Sequence, residues 1–169
     1  MKNTKTLHIV RHAKSSWDYQ NISDYDRPLK LRGIVNAYEM ARRVKIRNSS
    51  PDYVITSPAN RAFHTASVFA RVIEIPFSQF SVDSDLYGSD IETIISLLKN
   101  IDDKYSSVMI FGHNPESTDL ANHFSNENIE NVPTCGIVTI TFNTEKWKEI
   151  GKSKVKQVLF DFPKNEIQV

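Results

Sequence analysis

Of 169 residues only Cys135 is a cysteine, so no disulfide can form within the chain. That scarcity suits a reducing cytoplasm, which is the expected setting. Charge of one sign is not in excess: 21 Lys and Arg against 20 Asp and Glu leave a net charge of +1. A chain so balanced has no bulk attraction for nucleic acid or an anionic membrane, although it can still hold a local basic pocket. Long apolar runs are missing as well. The run after Lys2 and Lys5 extends only from Leu7 to Val10 and is broken by His8, too short for a signal-peptide core. No window approaches the length of a membrane span. Repeats, low-complexity segments and linkers are absent too. What is left is an ordinary soluble composition, 40% hydrophobic and 24% charged, of a length that suits a single domain over residues 1–169.

Short apolar runs rich in β-branched residues predict strands at Leu7–Val10, Tyr53–Thr56, Phe80–Val82, Ser107–Phe111, Gly136–Phe142 and Val155–Phe162. Between them, apolar residues at helical spacing predict helices over Leu31–Val44, Ala59–Ile73, the stretch after Ser89, and Pro115–Phe124. Ser57-Pro58 has the form of an N-cap followed by proline in the first helical position, and Asn114-Pro115 repeats it. Ser89-Asp90-Ile91-Glu92 has the form of a capping box. Polar segments 16–30 and 125–133 are expected to be loops, the first able to fold over the end of the first strand. Trp147 is expected to cover the core. Alternation of strands and helices predicts a three-layer α/β fold, a mostly parallel open sheet with helices on both faces.

In such sheets a site forms in the crevice outside the carboxyl ends of strands. Here the first strand ends in Arg11-His12, the second leads to Arg61 in the first turn of a helix, and the fourth apolar run ends at His113. Taken singly, each reads as a structural or solvated residue. Together they gather two guanidiniums and two imidazoles on one rim. An oxyanion is the natural occupant, and the arginine fork matches phosphate. Lys14 and Ser15, in the turn after His12, can touch the same anion, and Thr134 precedes a strand that can bring it to the pocket.

The motifs Arg11-His12, Ser57-Pro58-Ala59-x-Arg61-Ala62-x-x-Thr65-Ala66 and Gly112-His113-Asn114-Pro115 resemble those of the histidine phosphatase superfamily. Arg11-His12-Ala13-Lys14-Ser15-Ser16-Trp17, Asp26-Arg27-Pro28-Leu29, Arg32-Gly33 and Pro133-Thr134-Cys135-Gly136 are similar to its small SixA-type phosphohistidine phosphatase branch. This resemblance spans about residues 6–163 and implies a phosphoglycerate mutase-like fold. It also implies His12 as the nucleophile carrying a phosphoryl group, with Arg11, Arg61 and His113 around the phosphoryl oxygens. No metal and no cofactor are implied. Lys14, Ser15, Asn114 and Thr134 are the expected substrate contacts.

The proton donor is where the chain departs from the family pattern. Many relatives carry a glutamate where this chain reads Asp83-Ser84-Asp85, and Glu116 follows His113-Asn114-Pro115 where a glycine is common. Asp85 and Glu116 are the two candidates. A phosphoramidate such as phosphohistidine has a better leaving group than an alkyl ester and needs less help from an acid. The short segment between Ile73 and Ser89 leaves no long insertion to roof the site. Both features favour a phosphorylated protein, such as a histidine phosphotransfer domain, over a small phosphorylated metabolite. The remaining rivals are a phosphatase of small phosphomonoesters or diphosphates and a non-catalytic phosphate-binding module. Other motifs fail on spacing: Lys146 stands where a P-loop glycine would precede Gly151-Lys152-Ser153, and His8 and His12 are four apart on a strand, not a helix.

Overall fold

The computed structural model describes residues 4–126 and 128–165; Lys2 and Glu127 lie outside them. The chain runs β1 (Lys5–Arg11), α1 (Leu31–Ile46), β2 (Tyr53–Thr56), α2 (Asn60–Ile73), β3 (Phe80–Val82), α3 (Ile91–Lys99), β4 (Ser107–Gly112), α4 (Glu116–Phe124), β5 (Ile137–Phe142) and β6 (Val155–Asp161). The strands form one six-stranded sheet in the order β3-β2-β4-β1-β5-β6. The first four positions run parallel, while β5 is antiparallel to β1 and β6 antiparallel to β5. The fold is therefore α/β with a mixed, mostly parallel sheet, as its residue pattern predicts.

Pleat alternation divides the core into two layers. In β4, Val108 and Ile110 join Leu7 and Ile9 of β1 beneath Leu98, Leu120, Phe124 and Trp147. Met109 and Phe111 face the other way, with Val10 and Val54, against Ala37, Met40, Ala41 and Phe69 of α1 and α2. Strands covered on both faces read as continuous apolar runs, which is why β4 is legible from its residues. Trp147 is fully buried, and its indole N–H donates to the Tyr105 carbonyl at 2.7 Å. Burying a side chain of this size contributes on the order of 2–3 kcal/mol.

Because α1 packs on one face and α4 on the other, the chain leaves β1 and β4 in opposite directions. These adjacent parallel strands form the switch-point crevice that suits a ligand. Among the described residues, no helix is long and apolar enough to cross a membrane.

Three helix starts differ from expectation. The N-cap of α2 is Ala59, without a side-chain cap; Ser57, two residues earlier, accepts the Ala59 N–H at 3.3 Å and meets His113. The cap of α3 is Asp90, not Ser89; its carboxylate accepts from the Thr93 N–H at 2.8 Å. The Asn114–Pro115 peptide bond is cis, and Pro115 occupies the N-cap position. The Asn114 side chain donates to the Val132 carbonyl at 3.1 Å and accepts from Thr118 at 3.1 Å. It thus ties segment 131–132 to α4 in place of capping a helix.

Candidate active site

Hydrogen bonds past the strand ends set the site. His12 N–H donates to the Gly112 carbonyl at 3.0 Å, continuing the β1–β4 ladder by one residue. Ala13 N–H then donates to Thr65 Oγ1 at 3.0 Å, and the Thr65 hydroxyl donates to the Arg61 carbonyl at 2.6 Å. The turn after β1 is thereby tied to the first turn of α2. Behind it, Cys135, in a left-handed conformation at φ 62°, donates its N–H to the carbonyls of Arg11 and His12 at 3.0 and 3.1 Å. That segment carries Thr134 to the pocket wall.

All four rim residues meet. The His12 and His113 rings lie 5.2 Å apart, centre to centre. His12 Nδ1 lies 2.8 Å from the Ala13 carbonyl, an acceptor only, so Nδ1 carries the proton and Nε2 the lone pair. The Arg61 Nε–H donates to that lone pair at 3.2 Å. His113 Nε2 lies 2.8 Å from Ser57 Oγ. Arg11 reaches over from β1, held by the Val132 carbonyl at 2.9 Å.

Burial, followed by the charges of His113, Arg61 and Arg11, pulls the His12 pKa down to about 3, against the Ala13 hydrogen bond that raises it. Burial and Arg61 bring His113 down to about 4, with Asp24 acting in the opposite direction. Both imidazoles are neutral near pH 7. A neutral imidazole with an anchored Nδ1–H and a lone pair facing the Arg61 guanidinium is suited to attack an electrophilic phosphorus.

The pocket, about 470 Å³, is lined by Lys14, Ser15, Asn114 and Thr134 as well as the rim residues. The two candidate proton donors are not among its lining residues. Asp85 sits in a short 3₁₀ turn, Ser84–Leu86, where its N–H bonds the Asp83 carboxylate at 2.9 Å. Glu116 opens α4 and lines a separate small cavity behind His113.

Two contributors have no site role in the sequence reading: Arg27, quoted there only within the Asp26-Arg27-Pro28-Leu29 motif, and Asp24. Arg27, from the loop over β1, donates from Nε to the Ser16 carbonyl at 3.2 Å and from Nη2 to the Ser15 hydroxyl. Its guanidinium stacks 3.4 Å over Trp17, also on the pocket wall. Asp24, from the same loop, bridges Arg61 at 2.9 Å and Arg27 at 2.9 Å and accepts from the Tyr87 hydroxyl at 3.3 Å. Burial raises the Asp24 pKa, but Arg61, Arg27 and Tyr87 together outweigh it and leave the carboxyl below its ordinary value. Nothing in local sequence marks an exposed loop aspartate as the counterion of an arginine 37 positions away.

Fold and site thus define an α/β protein that concentrates arginine and neutral histidine at the carboxyl ends of β1 and β4. The chain belongs to the histidine phosphatase superfamily; the model of its branch 1 matches residues 7–86. An uncharacterized chloroplastic protein of Arabidopsis thaliana is 27% identical over 156 residues, 86% of this chain and 70% of that one. An uncharacterized protein of Mycobacterium tuberculosis is 30% identical over 112 residues, 66% of this chain and 67% of that one. Among solved structures, a candidate phosphohistidine phosphatase SixA from Agrobacterium tumefaciens is similar at 26% identity and TM-score 0.72, covering 80% of this chain and 90% of that one. The protein histidine phosphatase SixA complexed with tungstate shares the fold at TM-score 0.76 and 22% identity, over 94% and 97% of the two chains. Small SixA-type members are thus similar to this chain over most of its length.

Proposed function

We propose that this chain is a phosphohistidine phosphatase acting on a phosphorylated protein, with His12 as nucleophile. The observation that carries the reading is the His12 tautomer: Nδ1 anchored on Ala13 and Nε2 free to attack beside Arg61. In the first step the Nε2 lone pair bonds to phosphorus and the bond from phosphorus to the leaving nitrogen breaks. Arg11, Arg61 and His113 meet the phosphoryl oxygens and stabilise the spreading charge. Water then attacks the phosphoryl group on His12 and releases phosphate. Guanidiniums supply the neutralisation, so the proposed step needs no metal. Lys14, Ser15, Asn114 and Thr134 are the proposed substrate contacts, and Arg27 is positioned to join them.

A protein substrate is supported by the surroundings of the mouth. Trp17, on the pocket wall, is 73% exposed, and Tyr19, two residues further along the same loop, is 60% exposed. Exposed aromatic side chains beside a polar pocket suit a macromolecular partner. The similarity to SixA-type proteins favours the same reading. The second reading, a small phosphate ester, is favoured by shared fold with proteins such as mycobacterial glucosyl-3-phosphoglycerate phosphatase, at TM-score 0.65 and 13% identity. The proposed setting is the cytoplasm, in keeping with one buried free thiol, Cys135.

The deciding experiment compares wild type with His12→Ala on a phosphohistidine-carrying phosphotransfer domain and on p-nitrophenyl phosphate. Prompt loss of the protein phosphoryl group, abolished by His12→Ala, is expected. Turnover of the ester alone would keep the mechanism and discard the protein substrate. Phosphate binding without hydrolysis of either would favour a binding module.

A further inference from the structure

Behind His113, on the side away from the pocket, lies a cavity of about 10 Å³ between β4 and α4. Its walls include Leu86, Ile110 and Leu120, and its polar lining is His113, Glu116 and Ser117. Two buried side-chain atoms there have no hydrogen-bond partner, His113 Nδ1 and Glu116 Oε2. Burying either unpaired is costly, of order 1–3 kcal/mol, and more if it is charged. The two are complementary. Ser57 Oγ accepts the Ala59 N–H at 3.3 Å and lies 2.8 Å from His113 Nε2, to which its hydroxyl can donate. With that donation the neutral His113 carries its proton on Nδ1, beside the cavity that Glu116 lines, where a carboxylate oxygen is an acceptor. The space is enough for one water at most.

We propose that Glu116 is a positioning residue for His113. Its Oε2 accepts the Nδ1 proton across this cavity, directly or through one water. This holds the imidazole in the tautomer that presents Nε2 to the pocket, and it favours the imidazolium when a phosphoryl group arrives there. The proposal rests on the reading of His113 as a phosphoryl ligand. Glu116 then acts on the reaction from behind His113: its carboxylate, on the Nδ1 proton, stabilises the imidazolium whose Nε2–H is offered to the phosphoryl oxygens.

Other groups face the same ring: Arg11 from β1, His12 just after it, Ser57 after β2, Arg61 from α2, Asp24 and Arg27 from the loop, and Tyr87, whose ring lies 5.3 Å away. Arg61, Arg11 and Arg27 oppose protonation, whereas Asp24 favours it but also pairs with Arg61. A charge on the cavity side is therefore the one that an incoming anion does not displace.

The test uses the full chain with ¹⁵N-labelled histidine and tungstate as the probe. In wild type, imidazole ¹⁵N shifts should show His113 protonated on Nδ1. Glu116→Gln, which keeps an acceptor and removes the charge, should keep that tautomer. It should also move the pH at which tungstate affinity falls down by about one unit, which approaches a tenfold weaker affinity at pH well above the wild-type midpoint. Glu116→Ala should move the midpoint and also mix the tautomers. An unchanged tautomer and an unchanged midpoint in Glu116→Ala would overturn the proposal. If wild type binds no tungstate, the phosphoryl-site reading fails, while the tautomer comparison still decides whether Glu116 holds His113.

Discussion

Arg61 Nε donates across 3.2 Å to His12 Nε2, the same nitrogen that would bond to phosphorus. The cation and the proposed nucleophile are thus packed together, and the guanidinium donates to the lone pair that the proposed reaction needs free of a proton. The contact links β1 to the start of α2 and depends on Thr65, which bonds both the Ala13 N–H and the Arg61 carbonyl.

Arg61→Ala should therefore have two effects. Loss of a charge aimed at the transition state should lower kcat/KM by about 10²–10³-fold. The His12 pKa, held at about 3 chiefly by burial and in part by Arg61, should rise, so the acid limb of the kcat/KM profile should move to higher pH. Arg61→Lys, which keeps the charge without the fork, should restore the acid limb better than the rate. A pH–rate profile of the three proteins checks this.

Asp24 neutralises Arg61 and Arg27 where a substrate anion would sit. Asp24→Asn should tighten tungstate binding by about two- to fivefold, the range of a partly exposed ion pair, with the difference shrinking as salt rises. Calorimetric titration at two salt concentrations measures it. Weaker binding in the variant would instead mean that Asp24 chiefly orders the two guanidiniums.

Three histidines are buried and neutral: His8 and His113 titrate near 4 and His12 near 3, against an ordinary 6.5, with burial the leading cause in each. A depressed pKa means that the unfolded chain takes up protons first. Stability from these groups is complete above about pH 6.5 and is lost as the pH falls toward 4, each by up to about 1.4 kcal/mol per pH unit. Melting temperatures should fall steeply over that window. His8→Gln should flatten the slope, since His8 bonds only Thr139 at 2.8 Å and Ser107 at 3.1 Å and lies apart from the pocket.

Gly33, near the start of α1, lies against the Lys14 backbone, and an added Cβ would run into the Lys14 carbonyl oxygen. That oxygen also accepts the Lys30 N–H at 2.8 Å. Gly33→Ala should cost about 1–3 kcal/mol of stability, as overpacking does, and should weaken tungstate binding by displacing the turn after His12. Thermal melts and the same titration read both effects.

Much of the scaffold is legible before folding is considered. Runs such as Val108-Met109-Ile110-Phe111 have to be buried on both faces, and the alternation of such runs with 3.6-periodic segments leaves few ways to stack them. The rim is legible for the same reason: Arg11-His12 and Gly112-His113 each end an apolar strand, and strand ends share an edge. Capping is where local reasoning fails. Ser57 and Asn114 carry the residue types of helix caps, but a hydroxyl near an imidazole and an amide near the Val132 carbonyl found better partners across the fold.

Sequence by itself thus determined the layers, the sheet's apolar strands and the four residues at its carboxyl edge. Tertiary structure alone decided how they work together. The His12 tautomer follows from a carbonyl placed by the turn after β1, and Arg61 meets His12 across 49 positions. Asp24 meets Arg61 across 37, and Ser57 meets His113 across 56. Periodicity reports which face of an element is buried; a hydrogen bond between distant loops depends on where the packed layers bring their ends, which no local pattern encodes.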